Sequence, residues 1–173
     1  MTITSSRTSI RRLEPRDLEE VVGICNAAIV RGESTYGPND MSAEELGPLL
    51  FGVPAQFESY VLDGDNGAIA GWAALMRHMN RDIYPTVAEL TVFVADQYRR
   101  RGIGHALVQH AFERAHELGF RALLLILQPD PAYAVAWSLR LGFRNVGWLM
   151  GVLPIGERMQ DILVFQRFMK EAR

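Results

Sequence analysis

A single cysteine, Cys25, in a chain of 173 residues leaves no partner for an intramolecular disulfide. The four histidines fall at His78, His105, His110 and His116. The three on one predicted helix are five and six residues apart, so no metal-ligand spacing is present. Charge of neither sign dominates: 18 basic against 20 acidic residues give a net charge of −2, which removes the global basic footprint of a nucleic-acid binder. Nowhere do eighteen apolar residues run together, and Met1 to Ser9 is polar, which argues against a membrane span and a secretory leader and for a cytoplasmic protein. No internal repeat and no low-complexity linker interrupts the chain. With 49% hydrophobic residues, one domain spanning 1–173 with a sizeable core is expected.

Taken in order, Thr8 to Leu13 forms a short strand that Glu14-Pro15 stops, and a helix follows from Leu18, with Val21, Val22, Ile24, Cys25, Ala28 and Ile29 on its apolar stripe. Cys25 on that stripe is a small core residue rather than a nucleophile, since no histidine partners it locally. Arg31 to Asp40 mixes Gly, Ser, Pro and Asn and is a loop able to line a cleft. Ser42-Ala43-Glu44-Glu45 is a capping box opening a helix to about Leu50. Ser59 to Leu62 and Ala68 to Met76 flank Asp63-Gly64-Asp65-Asn66-Gly67 as a hairpin.

Arg77 to Pro85 is irregular and rich in anion-binding side chains, and Thr86 to Val94 is the next strand. Glu89 stands in it among Val87, Leu90, Val92, Phe93 and Val94, where burying an unpaired carboxylate is costly. Either Glu89 faces solvent or an arginine, or burial raises its pKa for work as a general base. A helix from His105 to Leu118 ends at Gly119, the aliphatic run Ala122 to Leu127 suits a buried strand parallel to the Glu89 strand, and a helix from Ala132 to Leu141 ends at Gly142. Arg144 to Val152 and Asp161 to Met169 are two further strands, joined by a turn-rich segment around Pro154 and Gly156.

At the junction between the Glu89 strand and its helix lies Arg99-Arg100-Arg101-Gly102-Ile103-Gly104. Two glycines let the backbone turn and bring its amides close to a ligand. A helix N-terminus favours an anion there, and three arginines add positive charge. A dinucleotide fold is excluded because Leu107 occupies the third glycine position and no strand-helix-strand unit precedes the motif. No Gly-Lys-Ser/Thr follows, which excludes a P-loop.

The order of strand, Arg99-x-x-Gly102-x-Gly104, helix, aliphatic strand, helix and Leu141-Gly142-Phe143 resembles the GCN5-related N-acetyltransferases (GNAT) over nearly the whole chain. Asn26-Ala27-Ala28, Ser34-Thr35-Tyr36, and Tyr84 five residues before Glu89 are most similar to the phosphinothricin acetyltransferase branch. The resemblance implies an α/β (α+β) fold. It has a mixed, twisted sheet of six to seven strands with helices on both faces, the fourth and fifth strands splayed around acetyl-CoA. The donor then lies against Val92, Phe93, Val94 and Leu127, with Arg99, Arg100, Arg101, Gly102, Ile103, Gly104 and His105 at its pyrophosphate. Glu89 matches the base, and the acetyl group passes directly to the primary amine of a small amino-acid analogue such as phosphinothricin or methionine sulfone or sulfoximine.

Tyr36, Arg77, Arg81 and Tyr84 are then the acceptor-binding candidates. In many relatives an Asn and a Tyr or His touch the cofactor and the departing thiolate. Those positions are Pro131 and Ser138 here, leaving Ser138 or Tyr133 as the acid. The resemblance also implies a homodimer, while histidine spacing, charge balance and the lack of a long apolar run point to no metal, no nucleic acid and no membrane partner. A protein or peptide N-acetyltransferase and a non-catalytic acyl-CoA-binding module are the alternatives.

Overall fold

A computed structural model describes residues 9–37, 39–78 and 84–169. Seven strands form one sheet in the order β1-β2-β3-β4-β5-β7-β6. They are β1 (Ile10–Arg12), β2 (Ser59–Asp63), β3 (Ile69–Arg77), β4 (Val87–Val94), β5 (Ala122–Leu127), β6 (Arg144–Ile155) and β7 (Arg158–Phe168). All neighbours are antiparallel except β4 and β5. That parallel pair is joined by α3 (Ile103–Glu117), the connection a parallel crossover requires.

The remaining helices are α1 (Leu18–Val30), α2 (Ala43–Phe51) and α4 (Ala132–Arg140). Ser42 opens α2 as its sequence demands: its hydroxyl accepts from the Glu45 amide, while the Glu45 carboxylate accepts from the Ser42 amide at 2.8 Å. Gly119 and Gly142 follow α3 and α4 with φ of +78° and +85°, the left-handed conformation that ends a helix.

Two apolar clusters cover the sheet. In one, Val21, Cys25 and Ile29 of α1 and Leu46 and Leu50 of α2 pack with Val61 and Trp72. In the other, Val108, Ala111, Phe112 and Ala115 of α3 pack with Ala88, Leu90, Leu123 and Phe165, and the Phe143 ring lies tilted against Phe112. Helices therefore shield the centre of the sheet, where β3 is buried along nearly its whole length.

One sequence expectation needs correction. The segment from Leu153 to Gln160 is not an irregular connection: β6 continues to Ile155, β7 begins at Arg158, and Gly156 turns the hairpin at φ +59°. Pro154 misled because proline usually breaks a strand, yet β6 is the outer strand, where a missing N–H costs no ladder bond. Gly151 sits in a bulge at φ +61°, and its N–H donates to Asp161 at 2.8 Å.

At the other edge, Arg11 grips Asp17 with both terminal nitrogens, at 2.7 and 2.9 Å, and reaches Asp63 through Nε at 3.1 Å. The Arg11 hydrogen bonds hold the buried Asp17 carboxyl below its usual range, against the opposing pull of burial. A lowered folded pKa contributes stability above the unfolded value that is lost as pH falls through the folded one. We expect Asp17→Asn to cost about 2 kcal/mol at pH 7 in urea unfolding, with the gap to wild type closing below pH ~4. A pH-independent gap would assign the loss to packing instead.

Candidate active site

The site begins with the parity of β4. The Thr86 carbonyl accepts from Arg121 at 2.8 Å on the β5 side, whereas the Ala95 amide donates to Ala70 at 3.0 Å on the β3 side. Peptide groups alternate sides along a strand, so those of Val92 and Val94 point toward β5. The β4–β5 ladder, however, runs only from Val87↔Ala122 to Glu89↔Leu124. Beyond it the two strands part, and the N–H and C=O groups of Val92 and Val94 open into the wedge.

That wedge is a cavity of about 410 Å³. Val92, Phe93 and Val94 form one wall, and Leu125, Ile126 and Leu127 the other. Arg99, Arg100, Gly102, Ile103, Gly104 and His105 line one end, and Tyr36, Glu89 and Thr91 the opposite end. Residues spread over the sequence thus meet in a single cleft.

At the loop end, Gly102 caps α3 at φ +82° and Arg100 adopts φ +59°. Successive amides in such a turn converge at the helix N-terminus as an anion cradle. A Cβ on Gly104 would stand 3.4 Å from Val94 Cγ2, so the loop packs closely against β4 with little space beyond one methyl. Unpaired strand amides, an apolar wedge and an amide cradle together match a long thioester with a pyrophosphate. The arginines divide their tasks. Arg100 lines the cavity, Arg101 lies over the Tyr98 ring at 5.6 Å and away from the cavity lining, and Arg99 is committed to Glu33 through two hydrogen bonds of 3.1 Å.

At the other end, strand alternation puts Glu89, Thr91 and Phe93 on one face of β4. The Glu89 side chain retains 29% of its exposure, and burial pushes its carboxyl up from the ordinary range, with His78 opposing. His78 Nδ1 lies 3.7 Å from Glu89 Oε2 and is buried with no hydrogen-bond partner among the described residues. The Tyr36 hydroxyl donates to Met76 Sδ at 2.7 Å and lies 3.3 Å from Thr91 Oγ1. Burial drives its phenol well up, so it stays protonated.

Tyr36 is carried there by a loop whose far end is fixed by Asn26, which exchanges hydrogen bonds of 2.9 and 2.8 Å with the Met41 backbone. Sequence reasoning singled out neither Thr91 nor Glu33, and gave His78 no role at the site. For Thr91 the two-residue spacing from Glu89 was the available signal.

The remaining candidates divide between the cavity wall and positions outside it. Arg77 pairs in register with Ala88, hence on the sheet face opposite Glu89, and does not line the cavity. Tyr84 is half-exposed beside His78, with ring centroids 6.0 Å apart. Arg81 lies outside the described residues. Ser138 lines the cavity, but its hydroxyl donates to the Ala134 carbonyl at 2.8 Å within α4. Tyr133 accepts from Arg99 at 2.5 Å, and its phenol is raised by burial and the nearby Glu33. The Cys25 thiol is fully buried in the core and pushed up to about 11 by that burial. Among the described residues no helix is long and apolar enough to cross a membrane.

Residues 30–143 match the acetyltransferase (GNAT) family. The chain is 28% identical over 167 residues to the phosphinothricin N-acetyltransferase of Streptomyces coelicolor, covering 94% of this chain and 97% of the relative. It is 26% identical over 159 residues to YwnH of Bacillus subtilis, named as a candidate phosphinothricin acetyltransferase, covering 92% and 98%. Among solved structures, a phosphinothricin acetyltransferase from Sinorhizobium meliloti in complex with AcCoA superposes with a TM-score of 0.83 at 24% identity, covering 94% of this chain and 88% of that one.

Proposed function

This chain belongs to the acetyltransferase (GNAT) family, and from that premise we propose that it transfers the acetyl group of acetyl-CoA to the primary amine of a small amino-acid-like acceptor, with Glu89 as general base. The observation that carries the reading is a partly desolvated carboxylate at the end of the wedge where β4 and β5 part. Acetyl-CoA supplies an activated acyl group as a thioester. The chain holds the donor with the amides of Val92 and Val94 and with the cradle at Gly102 to Gly104.

Glu89 takes the proton of the attacking amine, directly or through one water, as the C–N bond forms and the C–S bond breaks. A base with a raised pKa accepts that proton with less driving force lost than an ordinary carboxylate. The departing thiolate needs little help: a thiol of pKa ~8.5 makes a tolerable leaving group, so water protonates it where Ser138 and Tyr133 are otherwise engaged.

Two relatives bearing the phosphinothricin acetyltransferase name motivate the acceptor class. Tyr36 and Thr91 shape the acceptor end beside Glu89, and Arg81, three residues before Tyr84 in the sequence, is the candidate cation for an anionic acceptor. A second copy of the chain would cover the exposed apolar side chains of the outer hairpin, Trp148, Met150 and Met159 among them.

The deciding experiment is release of free CoA thiol across phosphinothricin, methionine sulfone, methionine sulfoximine and lysine-containing peptides. Turnover confined to the amino-acid analogues is the expected result. Turnover only of peptides would move the acceptor to protein, and CoA binding with no thiol release on any amine would leave a binding module.

A further inference from the structure

Glu33 and Arg99 are 66 positions apart and meet as a fork across the mouth of the cleft, with N–O distances of 3.1 Å to each carboxylate oxygen. The side chains are only 18% and 29% exposed, so this pair is shielded more than an ordinary surface bridge. The remaining groups of the cluster reinforce it. Arg99 Nη2 also donates to the Tyr133 hydroxyl of α4, and its guanidinium lies 5.7 Å from that ring. Arg31 bonds Glu33 at 2.9 Å and Asp96, in the turn after β4, at 2.6 Å. The Glu33 carboxyl is held below its usual range by Arg31 and Arg99, against the opposing effect of burial.

The segment so gripped is the one that builds the acceptor end. Directly after Glu33, the Ser34 carbonyl accepts from buried Gln128 at 2.7 Å, just beyond β5, and two residues later Tyr36 reaches Thr91 beside Glu89. Residues 31–36 therefore bridge the cleft from the end of β4 to the end of β5. An arginine whose terminal nitrogens are already paired with a carboxylate and a phenol is poorly placed to serve as a phosphate ligand.

Resting on the acetyltransferase reading, we propose that Arg99 is a positioning residue whose fork to Glu33, completed by the Tyr133 hydroxyl, ties residues 31–36 to the glycine loop and so sets the acceptor half of the site. The donor phosphates fall to the loop amides and Arg100. The first arginine of the motif thus couples the two half-sites: the loop that receives the donor also holds the strap that carries Tyr36.

The test uses the full chain and the variants Glu33→Gln, Glu33→Asp, Arg99→Gln and the double Gln variant. Three readouts are compared: free CoA binding by calorimetry, amide exchange in residues 31–37, and the separate KM values for acetyl-CoA and methionine sulfone. Either single Gln variant should speed exchange in 31–37 about tenfold, and the double should fall clearly short of the product of the two because the Glu33–Arg99 pair is lost in all three. The acceptor KM should rise about tenfold while the CoA dissociation constant moves less than about threefold, and Glu33→Asp should recover part of the loss.

Arg99→Gln weakening CoA tenfold or more, with exchange in 31–37 unchanged, would make Arg99 a phosphate ligand and overturn the proposal. So would a Glu33→Gln variant that binds CoA more tightly through a released Arg99 and leaves the strap undisturbed. If the wild type does not acetylate methionine sulfone, the acceptor reading falls, while exchange and calorimetry still decide the tether by themselves.

Discussion

Glu89→Gln is expected to lower kcat by about 10²-fold or more while changing the KM for acetyl-CoA little, since loss of a general base removes a proton acceptor used in the transition state. The substitution keeps shape and hydrogen-bonding capacity but cannot take the proton. The wild-type rate should rise with pH along a limb lying above the ordinary glutamate value of 4.5, because burial pushes the Glu89 carboxyl up against the opposing His78. That limb should vanish in the variant. Stability should move the other way. A raised folded pKa means that wild-type stability is fully present below the unfolded value and is lost as pH rises through the folded one. Glu89→Gln, which cannot ionise, should therefore be as stable as wild type or more so at pH 8 in urea unfolding, the usual sign of a site kept for chemistry. A variant with unchanged kcat would remove Glu89 from the mechanism.

The second large effect is expected at the glycine loop. Gly104→Ala should bind acetyl-CoA almost as wild type does, because its methyl would make ordinary contact with Val94 Cγ2 at 3.4 Å. Gly104→Val adds two further carbons against Val94 and Trp137, whose ring carbons already stand 3.9 Å from a Cβ there. We expect it to raise the acetyl-CoA KM on the order of tenfold or more, equivalent to losing ~1.4 kcal/mol of donor binding, with a native circular dichroism spectrum.

Gly102 fails for a different reason. No atom lies within 4 Å of its added Cβ, but φ of +82° is a conformation that costs a non-glycine residue roughly 1–2 kcal/mol. Gly102→Val should thus both destabilise the start of α3 and turn its amides from the anion. Unaltered CoA affinity in a folded Gly104→Val protein would dissociate this turn from the pyrophosphate.

Much of this architecture was legible because local chemistry and tertiary structure agree. The Ser42 to Glu45 capping box, the aliphatic strand Ala122 to Leu127 and the terminating glycines Gly119 and Gly142 all lie where backbone preference alone places them. The glycine loop was visible for the same reason, since a left-handed residue at a helix start leaves a mark on composition. Pro154 was misleading because an edge strand tolerates proline, and whether a strand is an edge is a property of the sheet. Arg77 looked like an acceptor ligand by proximity in sequence, yet its register with Ala88 sets it on the other face from Glu89.

By itself, the sequence determined the element order, the parallel crossover and the glycine turn that opens α3, because these follow from periodicity, capping and glycine's conformational freedom over a few neighbouring residues. Only the tertiary structure decided where β4 and β5 stop pairing, which peptide groups of β4 face the wedge, and which arginine pairs with Glu33. Those outcomes depend on long-range register and on ion pairs between residues 66 positions apart, and no local pattern encodes them.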